Sequence, residues 1–149
     1  MINMRILGID YGDARVGIAI TDELNITVQG LETIQRNGSD RIVLRRLDEI
    51  LEKYKVDTIV VGMPLNMNGT ISERAKITQE FIHKLKCKYN KLKIDCIDER
   101  LTTVEAHKTM NFLDINKNKK KNIVDTISAV YILETYLNKL KNSLKNNSK

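Results

Sequence analysis

The sequence predicts an α/β fold built on a mixed five-stranded sheet with helices on both faces. The first observation is ILGIDYGDARVGIAIT at 6–21, in which two apolar runs flank a short glycine-bearing connection, the pattern of a β-hairpin. The second is DTIVVG at 57–62, a short β-branched run typical of a buried parallel strand. The third is the helical spacing of apolar residues over 40–54, just before that strand.

The other elements are assigned from turn signals and apolar spacing. Residues 25–34 predict a third strand with an irregularity at Gly30, and NGS at 37–39 ends it and caps the next helix. After the loop MPLNMNGT, a helix is expected over 72–89 and a fifth strand over 92–98. The inner face of that helix is expected to comprise Ile77, Phe81, Ile82 and Leu85.

Two helices are predicted after the fifth strand. Thr102 and Glu105 form a capping box, which predicts a helix to about residue 113. The polar stretch 114–122 is expected to be mobile. The last helix, over about 122–140, is apolar almost all round in its first half, which indicates a helix packed deep against the sheet.

The order of these elements predicts the sheet topology. Three strands form an antiparallel meander, and two later strands enter by right-handed crossovers that place them beside the first strand. Ligands of such sheets bind at the C-terminal strand ends. Asp10, at the end of the first strand, and Glu99, after the fifth, should therefore share that edge.

Length and composition indicate a single domain. We expect residues 1–140 to form it and the basic segment 141–149 to be disordered. The two cysteines make no disulfide framework, and neither histidine falls at zinc-site spacing beside them. No stretch has the length of a signal peptide core or a membrane span, which predicts a cytoplasmic protein with no membrane partner.

The net charge of +6 is unevenly distributed. Lysines cluster at 83–94, at 117–121 and in the C-terminal segment, an arrangement suited to a phosphate backbone. Genomic base composition is the alternative explanation, because a chain rich in asparagine and lysine can simply solvate its helices.

Three carboxylates stand in positions that are costly for an acid. Asp10 ends a core strand, Glu99 follows another, and Asp125 is the only acid in the helical stretch NIVDTISAVYIL, where desolvation penalises the charge unless a partner or metal compensates it. The helix dipole alone could explain Asp125. Together, the three predict a site that holds Mg²⁺ or Mn²⁺ for phosphodiester cleavage.

Four motifs in order resemble the YqgF/RuvX family of pre-16S rRNA nucleases and Holliday junction resolvase-like proteins, within the ribonuclease H-like superfamily. They are GIDYGDARVG at 8–17, VVGMPLNMNGT at 60–70, DERLTTVEA at 98–106 and KKNIVDTISAVYILE at 120–134. The resemblance implies a ribonuclease H-like fold and Asp10, Glu99 and Asp125 as the acidic triad. Ser128 departs from the alanine common in the family and leaves the triad untouched.

The expected mechanism is hydrolysis by a metal-activated water, with two ions steadying the attacking and leaving oxygens. Asp10 would bridge the ions, with Glu99 and Asp125 each holding one side. The backbones of Asp10 and Glu99 should lie about 10 Å apart, two inter-strand spacings. Asp98 should point the opposite way and serve a structural role, and His107 is interpreted as a helix-surface residue.

Nucleic-acid contacts are predicted around the same edge. Arg15 and Arg100 could clamp phosphate, although either could pair with a nearby acid. Thr102 and Thr103 open a helix whose amides could bind phosphate, although capping alone explains Thr102. The further candidates are Asn66 and Asn68, which turn chemistry would also explain, and Lys119, Lys120 and Lys121.

The favoured substrate is precursor 16S rRNA, and four-way DNA is the alternative. A resolvase acting on a two-fold substrate should be a dimer, whereas an RNA trimmer could be a monomer or a weak homodimer. The first motif also resembles the phosphate-binding start of actin-like sugar kinases, but 149 residues cannot supply their second domain. A non-catalytic RNA-binding module is the third hypothesis; its phosphate binding would be better without the acids.

Overall fold

The fold is a five-stranded mixed sheet between two helical layers. The computed structural model describes residues 4–99 and 117–147, and within the last helix the side chains of 126–144. Strands β1 to β5 span Arg5–Tyr11, Arg15–Thr21, Val28–Gln35, Val56–Met63 and Lys93–Asp98. The helices in the described part span Asp40–Lys53 (α1), Glu73–Lys88 (α2) and Lys117–Asn147 (α3).

The sheet order is β3-β2-β1-β4-β5, with β1 at the centre. β1 pairs antiparallel with β2 and parallel with β4, and β4 pairs parallel with β5. This arrangement confirms the predicted meander with two crossover strands. It also places the C-terminal ends of β1, β4 and β5 at one edge, which is called the carboxyl edge below.

Helices α1 and α2 cover one face of the sheet. Each begins at a serine, as predicted for α1: Ser39 accepts a hydrogen bond from the Arg41 amide, and Ser72 accepts one from the Ala75 amide at 3.1 Å. Phe81 of α2 stacks on Tyr11 of β1 with ring centroids 4.1 Å apart. The α1/α2 layer therefore packs directly on the end of β1, next to Asp10.

Helix α3 covers the opposite face and approaches it closely. Its buried residues Ala129, Ile132 and Leu133 form a core with Ile6 of β1 and Val60 of β4. Side chains larger than glycine would block this approach: a Cβ on Gly8 would lie 2.5 Å from Cγ of Leu133, and one on Gly30 would lie 2.1 Å from Cγ2 of Thr126. The glycines thus set the depth at which α3 lies on the sheet.

Two predicted details are wrong. β3 begins at Val28 rather than residue 25, because the Asp22 carboxylate accepts hydrogen bonds from the Ile26 and Thr27 amides and holds that segment in a turn. Ile77 is 41% exposed. The inner face of α2 instead comprises Ala75, Thr78, Phe81, Ile82 and Leu85, so Ile77 lies at its rim.

The last helix is longer than predicted at both ends. It starts at Lys117, inside the stretch expected to be mobile, and ends at Asn147, inside the segment expected to be disordered. Residues 117–147 contain no proline or glycine to stop a helix. Within the described ranges, no helix combines the length and apolar character needed to cross a bilayer.

Candidate active site

Asp10 lies at the carboxyl edge, one residue before the end of the central strand. It is only 8% exposed. Side chains alternate across a strand, and the alternate positions Ile6 and Gly8 face α3. Asp10 therefore lies on the α3 face, while its neighbour Tyr11 packs on the α1/α2 face. The sequence predicted that this carboxylate lies at the end of a core strand, and the structure confirms that position.

Glu99 directly follows β5 and is also 8% exposed. Between β5 and β1 lies β4, in which Gly62 pairs with Ile97 and follows Val61, the partner of Ile9. A Cβ on Gly62 would lie 3.2 Å from both Cγ and Cδ of Glu99. Glu99 thus occupies the space above Gly62, and this explains how a side chain two strands away reaches Asp10.

The two carboxyl groups perturb each other strongly. Burial raises the pKa of Asp10 well above its usual value, and the hydrogen bond with Glu99 and the charge of Glu99 raise it further. Oδ1 of Asp10 is buried, and the described residues supply it with no N–H or hydroxyl donor. The charged form of a buried carboxyl is destabilised when a second carboxyl lies beside it, so the pair suits a bound cation.

Among the described residues, Arg74 is the cation whose charge lowers the pKa of Asp10. It lies in the first turn of α2, exposed to solvent, where α2 starts from the carboxyl edge. Arg74 is not among the site residues predicted from the sequence. Its position two residues after the capping Ser72 was the available signal. A helix that follows a parallel strand begins at the carboxyl edge, so a residue in its first turn lies near that edge.

Asp125, the third predicted ligand, belongs to α3, but its side chain lies outside the described part of the structure. Among side chains that are described, no group of three His, Cys, Asp or Glu residues could hold a metal ion. The site as described is therefore the pair Asp10 and Glu99.

The predicted basic and hydroxyl residues are located only in part. Arg15 opens β2 at the carboxyl edge and is half-buried. Lys119, Lys120 and Lys121 belong to the first turns of α3, but their side chains are not described. Arg100, Thr102, Thr103 and His107 lie outside the described residues.

The loop after β4 closes on itself through its own polar groups. The Gly69 amide donates to the Asn66 carbonyl at 2.8 Å. The Asn66 side chain donates to the Thr70 hydroxyl at 2.9 Å, and the Asn68 side chain accepts from the same hydroxyl at 2.7 Å. Turn formation therefore accounts for the geometry of Asn66 and Asn68, and their contact with nucleic acid stays a prediction.

Asp98 ends β5 beside Met63. Met63 belongs to the core under α1 and α2, and residues paired in a parallel ladder face the same way. Asp98 thus faces away from Asp10 and Glu99, as its position in the pleat predicted.

Comparison with known proteins gives one family. The model of the RuvX family, described as Holliday junction resolvase, matches residues 4–139. A protein of Ruminiclostridium cellulolyticum is 51% identical over 95% of this chain and 99% of its own length, and one of Acetivibrio thermocellus is 50% identical over 90% and 95%. Both carry the name "Putative pre-16S rRNA nuclease".

The fold also matches a solved structure. RuvC of T. thermophilus, in complex with a Holliday junction substrate, has a TM-score of 0.50 over 89% of this chain and 96% of that chain, at 10% identity. At that identity the likeness concerns the fold alone, and it confirms the predicted ribonuclease H-like architecture. This chain is a member of the RuvX family of ribonuclease H-like nucleases.

Proposed function

We propose that this nuclease hydrolyses phosphodiester bonds of precursor 16S rRNA with the help of divalent metal ions held by Asp10, Glu99 and Asp125. The observation that carries the proposal is the buried carboxyl pair at the carboxyl edge, in which Asp10 Oδ1 receives no hydrogen bond from the residues that the structure describes. The names of the two relatives favour the RNA substrate.

The chemistry of the pair fits a hard divalent cation. Carboxylate oxygens are the preferred ligands of Mg²⁺ and Mn²⁺, and a cation would remove the repulsion that raises the pKa of Asp10. Two ions are proposed because one carboxylate can bridge a pair of metals about 4 Å apart. When bound, these ions would activate the attacking water and stabilise the charge on the leaving oxygen.

The protein's own residues position these groups. Asp10 is fixed by the central strand, and Glu99 is held over Gly62 by the close packing of β4 against α3. Burial of both carboxyls keeps their oxygens from being hydrated at the reaction centre. Arg74 contributes positive charge from the start of α2, which favours ionised Asp10 and would attract a phosphate.

Asp125 is proposed as the third ligand from its position in α3. It precedes Ala129 by four residues, about one helical turn, and the Ala129 carbonyl lies 3.1 Å from the Cβ position of Gly8. One turn of helix and the two residues from Gly8 to Asp10 both advance by about 6 Å. That spacing supports a third carboxylate near the pair.

Substrate contacts are proposed for the basic and polar residues around this edge. Arg15, at the start of β2, and Arg100, next to Glu99, would hold phosphate groups beside the scissile bond. The remaining proposed contacts are Thr102, Thr103, Asn66, Asn68, Lys119, Lys120 and Lys121.

The test is cleavage of a precursor 16S rRNA fragment with and without Mg²⁺ or Mn²⁺. We expect metal-dependent cleavage by the wild-type protein and none by Asp10→Asn, Glu99→Gln or Asp125→Asn, each of which should still bind the RNA. Asp57→Asn is the control, because Asp57 is an exposed acid at the opposite edge of the sheet. Binding without cleavage by the wild type under every metal would support a non-catalytic RNA-binding module instead.

Holliday junction cleavage is the second candidate, favoured by the description of the family model. A synthetic four-way junction in the same assay distinguishes the two. Symmetric cuts by a dimeric protein would indicate a resolvase, whereas RNA cleavage by a monomer or weak homodimer would indicate an rRNA-processing enzyme.

The assignment also implies where the protein acts and which part of it is needed. A nuclease for rRNA precursors would work in the cytoplasm, where bacterial ribosomes assemble. We propose that residues 1–140 form the single catalytic domain and that 141–149 are dispensable for cleavage. A chain truncated after residue 140 should then retain the activity of the full chain.

A further inference from the structure

A cleft of about 670 Å³ lies between α1 and α2, on the face of the sheet opposite α3. It is attached to the active-site strand through Tyr11, the residue after Asp10. The Tyr11 hydroxyl donates to Asp40 at the start of α1, and the Arg36 guanidinium lies 4.9 Å from the Tyr11 ring centroid. Arg36 and Asp40 both line the cleft, so it begins beside the carboxyl edge.

Positive charge dominates the lining. Arg36, Arg41, Arg45, Lys84 and Lys88 contribute five cations, against the carboxylates of Asp40 and Asp48. Asp40 accepts from Lys84 at 2.8 Å and from Arg36 at 3.2 Å. Asp48 accepts from Lys88 at 2.9 Å and from Tyr89 at 2.7 Å. Both carboxylates are thus already engaged, and the cleft keeps a surplus of positive charge.

Arg41 and Arg45 supply the surplus that is available to a ligand. They lie one turn apart on α1, both exposed, and no carboxylate in the described residues pairs with either. Their neighbour Arg46 differs, because Glu32 holds it through two hydrogen bonds of 2.7 and 2.6 Å. The same helix therefore has one arginine fixed in an ion-pair network and two that line the cleft with no carboxylate partner in the described part of the chain.

The residue type is also informative in this chain. Lysine is the commoner cation, yet residues 36–46 contain four arginines and no lysine. The guanidinium donates two parallel hydrogen bonds to a phosphate, whereas an ammonium acts as a point charge. General lysine enrichment from base composition does not explain an arginine cluster.

We infer that the α1/α2 cleft binds the phosphodiester backbone of the substrate beyond the scissile bond, with Arg41 and Arg45 as its principal contacts. The inference rests on the proposed function and extends its footprint to the face opposite α3. A strand that crosses the carboxyl edge at Asp10 would continue past Tyr11 into the cleft, where phosphates meet the arginines.

The test measures RNA binding by full-length protein carrying Asp10→Asn, which prevents turnover, over a range of salt concentrations. Arg41→Gln with Arg45→Gln should reduce the slope of log K against log salt by about 1.4 for a single strand, because two phosphate contacts are lost. Affinity at low salt should fall about tenfold or more. Lys53→Gln with Lys55→Gln is the matched control, since these exposed lysines lie at the other end of α1, and it should keep the slope.

Each other outcome overturns the inference in a recognisable way. An unchanged slope in the arginine variant, with RNA still bound and cleaved by the wild type, would refute the cleft and leave the proposed function standing. Equal losses in both double variants would show non-specific attraction only. Absence of RNA binding by the parent Asp10→Asn protein, together with no cleavage by the wild type, would refute the proposed function as well.

Discussion

Asp10 and Asp40 lie at the same edge of the sheet on opposite faces, and their surroundings are opposite in character. Asp40 receives hydrogen bonds from Lys84, Arg36 and Tyr11. Burial alone would raise its pKa, but the hydrogen bonds from Lys84 and Tyr11, together with the charges of Lys84 and Arg36, outweigh burial and keep its pKa below the usual value. Asp10 faces another carboxyl, and its pKa is raised.

The difference distinguishes Asp40, a structural acid, from Asp10, the proposed metal ligand. Asp40 is an acid whose charge the fold itself neutralises, and it ties α1 and α2 to β1. Among the described residues, Asp10 lies beside a second carboxyl and only the charge of Arg74 lowers its pKa, so an added cation would stabilise its ionised form. A buried carboxyl with a strongly raised pKa at the carboxyl edge indicates a functional site, and the four predictions below test that distinction.

The largest effect is expected for Asp10→Asn. Removing the charge that would hold the metal should lower the cleavage rate by about 10³-fold or more, the scale seen when a group central to transition-state stabilisation is lost. Initial rates at saturating Mg²⁺ measure it. Cleavage within tenfold of the wild-type rate would show that Asp10 is not a metal ligand.

Gly62→Ala should have the next largest effect. The new Cβ would lie 3.2 Å from Cγ and Cδ of Glu99 and 2.5 Å from Cδ1 of Ile132, so the Glu99 side chain must shift by a few tenths of an ångström. Since a displacement of about 1 Å at a reaction centre can cost about 10²-fold in rate, this smaller shift should cost about tenfold, which single-turnover cleavage would measure.

Ile132→Val in the same chain separates packing from positioning, because it removes the Ile132 Cδ1 atom. The Gly62→Ala, Ile132→Val variant should regain part of the lost thermal stability and remain deficient in cleavage. Full recovery of the rate would mean that only the contact with α3 mattered.

The third prediction compares the stability of Asp10→Asn and Asp40→Asn without metal. Above pH 3.8, the usual pKa of Asp, folded Asp10 retains a proton that the unfolded chain releases, so its contribution to stability falls as the pH rises. Asp10→Asn should therefore raise Tm at pH 7 by a few degrees, since 1 kcal/mol corresponds to about 2–4 °C in a domain of this size.

Asp40→Asn should change Tm in the opposite direction at pH 7. The lowered pKa of Asp40 contributes stability above pH 3.8 that is lost as the pH falls through the folded value. Loss of the charge should cost about 1–2 kcal/mol. Thermal melts at pH 3 and pH 7 test both variants; changes of the same sign at pH 7 would contradict the distinction between the two acids.

The smallest effect is expected for Arg74→Gln. Its charge lowers the pKa of Asp10, so its loss should move the acidic limb of the pH–rate profile to higher pH and reduce the rate a few-fold near neutrality. Lys76→Gln, an exposed lysine on the same helix, is the control. An unmoved profile in Arg74→Gln would show that Arg74 does not act on the carboxyl pair.

The sequence predicted the sheet well because its signals are local. The hairpin of β1 and β2, the crossover strands and the serine caps follow from periodicity and turn chemistry within short windows. The errors fall where a tertiary contact or a side chain outweighs the pattern, as with the Asp22 turn before β3 and the exposed Ile77. The long α3 was underestimated because lysine and asparagine signal mobility, although neither ends a helix.

The sequence by itself predicted the strand order and the shared edge of the sheet at which Asp10 and Glu99 lie. Only the tertiary structure decided how two side chains on strands separated by β4 come into contact. The reason is steric and electrostatic. Gly62 leaves the space that Glu99 fills, and the charges of Arg74 and Asp40 act through space on Asp10 and Tyr11, respectively. The spacing of residues along the chain encodes neither this packing nor these charge interactions.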